Sequence, residues 1–202
     1  MKKVYIIIAV LVLYFGYTFL TSPKYTNFYG EINCEADPIQ ENIDGKKDEI
    51  IFGKYKITKM AKYKISAVVV SKKDYSYGTE SNFSPVDTAL AWGKMSEKEN
   101  IAKVRFSQSG RWYFYEYQEF PLGKEYIATH SSNHHLVPAN SNLKKAVKRI
   151  KKGDKVVIDG YLISITGENY FWNSSLTRND TGNGACEIVY VEKLIINKRE
   201  YN

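Results

Sequence analysis

Two cysteines, three histidines and one loop arginine are the residues of this chain whose types suit covalent chemistry. A thiol nucleophile needs a base to take its proton and a positive group to hold developing negative charge. Cys186 has candidates for both. His134 or His135 could serve as the base, and Arg178 lies in the loop leading to Cys186. Such a set would perform the work of a hydrolase or a transpeptidase. The thiol has a second reading, because Cys34 and Cys186 are the only cysteines. In an oxidising compartment one bridge between them would close a loop of about 150 residues, which the chain-entropy model credits with several kcal/mol.

A metal site is the third reading. His130, His134 and His135 could donate three nitrogens, with Cys186, Asp180 or Glu187 as the fourth ligand. The spacing His-x-x-x-His-His is not a recognised zinc pattern, and this reading is the weakest of the three. Gly182-Asn183-Gly184 is followed by neither Gly-Lys-Ser/Thr nor a helix, so it is no phosphate loop. No cofactor is expected.

Non-covalent binding has a stronger footing. Lys144, Lys145, Lys148, Arg149, Lys151 and Lys152 have no acidic residue among them, and the chain carries a formal net charge of +7. That balance draws anionic partners. Tyr113 and Tyr115 lie in the run Trp-Tyr-Phe-Tyr-Glu-Tyr, which would supply a stacking surface. Tyr113, Tyr115, Lys144, Lys148 and Arg149, with Asp180 in a neighbouring loop, form the candidate binding set. An acidic cell-envelope polymer or anionic lipid headgroups are the expected partners, by charge and stacking. Nucleic acid is not expected, for reasons of location.

Location rests on the first twenty-one residues. Lys2 and Lys3 precede an apolar run from Val4 to Leu20 with no formal charge. Its length is at the short end of the roughly 17–25 residues that a membrane helix needs. No small-residue cleavage site follows it, so an uncleaved single-pass anchor is expected, with the N-terminus cytoplasmic and the remainder outside. Residues 22–49 carry Pro23, Pro38, Gly45 and several acids without a clear period, and read as an irregular stalk. The extracytoplasmic domain is expected over 50–202.

Within that domain, residues 142–150 show apolar spacing of three and four at Leu143, Ala146, Val147 and Ile150, the face of a basic amphipathic helix capped by Asn140 or Ser141. Gly153 ends it, and 155–165 follows as a β-branched strand with Gly160 at a bulge or bend. Strands are also expected at 55–59, 64–71, 125–130 and 187–197, and a hairpin at 101–107 and 112–118 turns through Gly110. Ser84, Pro85, Asp87 and Gly93 predict a short helix over 82–93. Residues 131–140 and 174–185 read as polar surface loops, and these two carry the expected binding surface.

The class is therefore mainly β, barrel-like, with one basic helix, one short helix and the N-terminal transmembrane helix. The order of strands, helix, then two further strands resembles the oligonucleotide/oligosaccharide-binding (OB) barrel, and residues 152–162, KGDKVVIDGYL, are similar to strands of such barrels. A Cys, His and Arg set resembles the sortase-type transpeptidases, which are also membrane-anchored barrels. The chain departs from them by placing Arg178 before Cys186 and by lacking Thr-Leu-x-Thr before the cysteine. The leading expectation is a membrane-anchored binding or envelope-interaction protein rather than an enzyme. The alternative is the Cys186 hydrolase or transpeptidase.

Overall fold

The computed structural model describes residues 2–177 and 186–202, without the side chains of residues 2, 3 and 19. The N-terminal apolar run is helical throughout, as α1 (Lys2–Thr21). Its described side chains run unbroken only from Val4 to Thr18, and nearly all are exposed. Among the described residues no helix is long and apolar enough to cross a membrane.

Two short strands, β1 (Thr26–Asn27) and β2 (Ile39–Asn42), follow, then β3 (Glu49–Phe52). The segment expected to be a stalk is laid onto the domain. β1 pairs with the C-terminal end of the chain, β2 pairs with the long strand described next, and Pro23, Ile32, Cys34 and Pro38 are buried. Irregular backbone is no obstacle to packing when its apolar side chains find cover.

β4 (Tyr55–Asp74) is one strand where two were expected. Ala61, Tyr63, Ile65, Ala67 and Val69 alternate into the interior, with Lys62 and Lys64 exposed between them. Register shifts between Lys59 and Ala61 and between Val69 and Ser71 bend it, so that it pairs with different strands along its length. After α2 (Thr79–Phe83) comes β5 (Val86–Ala91), in place of the expected helix over 82–93. Every residue of β5 is buried. A strand covered on both faces has no alternation to announce it, and Ser84 and Pro85 imitate a helix start.

The connection after β5 holds a 3-10 turn (Gly93–Ser96), α3 (Lys98–Ile101) and the hairpin β6 (Arg105–Ser109) and β7 (Trp112–Glu116), close to expectation. Residues 124–138 reverse the expectation. The predicted strand is helix α4 (Lys124–Thr129), and the predicted polar loop is the buried strand β8 (Ser131–Pro138). Its polar residues find partners inside, and polarity alone had suggested exposure. α5 (Ser141–Val147) is the basic helix, capped by the Asn140 side chain, which accepts from the Leu143 N–H at 2.9 Å. β9 (Lys155–Gly167), β10 (Tyr170–Asn173), β11 (Glu187–Ile196) and β12 (Arg199–Tyr201) complete the chain.

The sheet is mixed. β4 pairs antiparallel with β5, β5 with β8, and β8 parallel with β11; β11 then pairs antiparallel with β9, and β9 with β4. The pairings thus run through five strands and return to β4. Leu143, Ala146, Val147 and Ile150 join the apolar interior bounded by Tyr63, Leu90, Leu136, Leu162 and Val189. The hairpin β6–β7 and α4 cover the opposite face of β5 with a second cluster, including Val70, Ala89, Met95, Phe106 and Ile127.

Candidate functional site

Asp87 is the centre of the site. It is the second residue of β5, every residue of which is buried, and is itself fully buried. A carboxylate there demands a counter-charge and hydrogen bonds, since an unpaired buried charge is severely costly. The partners come from three elements. Arg111 Nη1 lies 2.6 Å from Asp87 Oδ1, Ser84 Oγ donates to the same oxygen at 3.2 Å, and His135 Nδ1 stands 2.9 Å away. The His135 contact has ion-pair distance without hydrogen-bond alignment, and Asp87 Oδ2 has no hydrogen-bond partner. His135 is delivered by register: on β8 it is the residue directly opposite Asp87 of β5.

Arg111 is delivered by a turn. Gly110 and Arg111 both adopt positive φ, 57° and 73°, between β6 and β7, the combination a two-residue hairpin turn of primed type requires. Left-handed backbone is costly for arginine, and here its backbone N–H and carbonyl and both terminal guanidinium nitrogens have partners. Its N–H donates to Tyr75 Oη at 3.0 Å, its carbonyl accepts from Asn133 Nδ2 at 2.9 Å, and Nη2 donates to the Ser84 carbonyl at 3.0 Å. The guanidinium lies 3.7 Å from the Tyr75 ring centre and 5.8 Å from that of Trp172. Burial pushes the Tyr75 hydroxyl above the usual tyrosine range. Trp172, on β10, also packs against His135, with ring centres 4.9 Å apart.

Asn133 continues the cluster along β8. It accepts from Gln108 Nε2 at 2.7 Å, and its Nδ2 lies 3.8 Å from Cys186 Sγ. Cys186 is therefore at the margin of the site, one residue before β11. Ser175 N–H donates to the Cys186 carbonyl, and Ser174 Oγ accepts from Ile188 N–H, so the segment before the loop and the strand after it are tied together.

The sequence candidates scatter. His135 joins the site, whereas His134 faces the interior, where its Nε2 is 2.9 Å from Tyr63 Oη. His130 stacks on Tyr126 at 3.7 Å between ring centres. The three histidines are therefore not a cluster, and among the described residues no group of three His, Cys, Asp or Glu could hold a metal ion. Arg178 and Asp180 lie outside the described residues. Cys34 and Cys186 form no disulfide. Cys34 is packed with Ile32, Val68, Val157 and Ile195, and burial raises its thiol pKa.

Tyr113 and Tyr115 are half-buried over the second apolar cluster, with the open face of their hairpin strand given instead to Trp112 and Phe114. Tyr113 donates to the Ser131 carbonyl at 3.0 Å, and burial holds its hydroxyl far above the ordinary range. Lys144, Lys148 and Arg149 are exposed as expected. Asp87, Arg111, Asn133, Ser84, Tyr75 and Trp172 were not among the sequence candidates. The one signal was Asp87 itself, an acid inside an otherwise apolar or small run, read instead as helix-dipole chemistry.

The arrangement can hold a ligand with hydrogen-bond donors. Asp87 Oδ2 and Gln108 Oε1 are buried acceptors without hydrogen-bond partners, and the Tyr75 and Trp172 rings lie against Arg111, the partner of Asp87. Comparison with protein-family models, curated proteins and solved structures found no match to this chain.

Proposed function

We propose that the chain is a membrane-anchored binding protein built on an OB-like barrel, which takes a hydroxyl-rich envelope ligand on the outer face of β5 and β8. The barrel reading is supported by the closed circuit of five pairings, with one helix between its third and fourth strands and a parallel third–fifth pair. OB barrels bind oligonucleotides and oligosaccharides on strands two and three, between the first and last connecting loops. The observation that carries the reading is Asp87. Fully buried, it stands on the second of those strands, opposite His135 on the third, with Tyr75 from one flanking loop and Trp172 from the other. Fold analogy alone would not assign a function, and the reading therefore leans on the site.

The anchor reading rests on the sequence, the uncharged apolar run from Val4 to Leu20 behind Lys2 and Lys3, and on that run being helical in α1. Its exposed Ile, Val, Leu and Phe side chains lie all round the helix, the pattern of a segment meant for lipid. With Lys2 and Lys3 ahead of the run, the positive-inside rule would put the domain outside the cytoplasm.

Titration of tryptophan emission with soluble envelope saccharides, neutral and acidic, tests the binding reading. Saturable change in the native protein, lost in Trp172→Phe and weakened at least tenfold in Asp87→Asn, is expected. Unchanged emission with both saccharide classes would sink it.

A second reading has one observation in its favour. Cys186 Sγ touches Asn133 beside an Asp–His pair, the acid-oriented imidazole that thiol chemistry uses. His135 is turned to Asp87 on β5, whereas Cys186 precedes β11 on the other side of β8, so catalysis would require it to turn. Alkylation of Cys186 that stays fast below pH 7, where an ordinary thiol slows, and that loses this property in His135→Gln would bring the enzyme forward.

A further inference from the structure

The basic surface around α5 sits at the point where α1 leaves the domain. Arg149 Nη2 donates to Ser22 Oγ at 3.2 Å, just past the helix end. Asn142 clasps Lys24 from both sides, accepting from its N–H at 2.7 Å and donating to its carbonyl at 2.9 Å. Arg199 lies 4.8 Å from the Tyr25 ring centre, and Tyr25 packs on Tyr201. The root of α1 is thus bound to the α5 surface rather than joined by a loose tether.

Around this root Lys144, Lys145, Lys148, Arg149, Lys151, Lys152, Lys198 and Arg199 are all exposed. None of them takes part in an ion pair among the described residues. The acids among them are engaged elsewhere: Asp154 accepts from the Lys151 N–H and Asn197, and Glu200 pairs with Lys193. A one-signed surface of this density repels itself and attracts anions.

From this geometry we infer that the α5 surface docks on anionic lipid headgroups, fixing the domain flat against the bilayer that α1 enters. The inference rests on the anchor reading. Lipid is favoured over a wall polymer because the basic residues surround the very point at which the chain reaches the bilayer, where headgroups are the first anions met. Each Lys or Arg near an anionic surface strengthens attachment roughly five-fold, and the attraction decays within a Debye length. The binding face of β5 and β8 would then be held at a constant height and orientation.

The full-length protein is reconstituted into bilayers of phosphatidylcholine alone and of phosphatidylcholine with an equal part of phosphatidylglycerol, and backbone hydrogen exchange is followed. Amides of residues 141–155 and 197–200 should exchange at least about five-fold more slowly in the anionic bilayer. High salt should remove the difference, as should the triple change Lys144→Gln, Lys145→Gln, Lys148→Gln, which alters only solvated positions. Equal exchange in both bilayers, with α1 resisting alkaline extraction, overturns the docking and leaves the anchor standing. Release by alkaline extraction overturns the anchor, and the docking with it. Protection by soluble poly(glycerol phosphate) but not by phosphatidylglycerol would give the surface to a polymer and overturn the lipid.

Discussion

At the scale of residues, the molecule turns on how the Asp87 carboxyl group is partnered in the interior. Removing one member of a buried pair costs more than the pair itself is worth, because the remaining charge is stranded. Arg111→Ala should therefore destabilise the fold by about 3 kcal/mol, whereas Arg111→Lys should recover only part, since a lysine cannot reach Asp87 and the Ser84 carbonyl with the same fork. Urea unfolding of the two variants checks this, and equal stability of Arg111→Ala and the native protein would remove Asp87 from the centre of the account. A second expectation concerns alkali. Burial raises the hydroxyls of Tyr113 and Tyr170 far above their ordinary range. The unfolded chain then loses those protons first, so stability should fall as pH rises above about 10. Tyr170 Oη is buried without a hydrogen-bond partner, so Tyr170→Phe should be neutral or stabilising at pH 7 and should flatten the alkaline loss. Tyr113→Phe breaks the bond to Ser131 and should cost about 1 kcal/mol at pH 7.

At the scale of elements, pattern was legible wherever one face is wet, and illegible where both are dry. β4, β9 and β11 were visible because Lys62 and Lys64 or Glu192 interrupt apolar runs, and α5 because its lysines outline the face left to Leu143, Ala146, Val147 and Ile150. β5 and β8 are buried on both sides, and in β8 the cover is spent on polar residues: Ser131, Asn133, His134 and His135 satisfy one another's neighbours instead of water. Local composition does not distinguish that from a polar loop. The candidate site was missed for the same reason, because it lies on those two strands, and its partners are separated in sequence by dozens of residues. Gly160 was legible as special, though its role is different from a bend of its own strand. A Cβ there would collide with the Tyr190 carbonyl, where the register of β11 shifts between Val191 and Lys193. Gly160→Ala should thus force β9 and β11 apart, the pairing that closes the circuit, and cost about 3 kcal/mol or prevent folding. Thermal unfolding reports the loss. Gly153→Ala meets no atom and bears only its positive φ of 91°, so about 1 kcal/mol is expected. The contrast between the two glycines separates close approach from backbone strain.

At the scale of the whole molecule, residues 22–49 matter most, because they lay the segment after α1 onto the domain instead of leaving it a loose tether. Gly93 N–H donates to the Cys34 carbonyl at 2.8 Å, and Trp92 Nε1 donates to Asp37 at 3.0 Å, so this segment closes over the aromatic end of β5. Ile32 and Cys34 fill a cluster with Val68, Val157 and Ile195, and β1 adds an edge to β12. A chain beginning at residue 50 would uncover all of these at once. Three or four buried apolar side chains at about 1.5–3 kcal/mol each are comparable with the whole stability of a domain. Such a chain is expected to be unfolded or aggregated, while one beginning at residue 22 retains the native circular dichroism and cooperative melting. The thiol of Cys34 offers an independent reading of the same closure. Burial lowers its thiolate fraction, so Cys34 should alkylate more slowly than the half-exposed Cys186 in the native protein and at an equal rate in denaturant. If Cys34 reacts as fast as Cys186 without denaturant, the segment opens freely, and the close junction between α1 and the domain is lost with it.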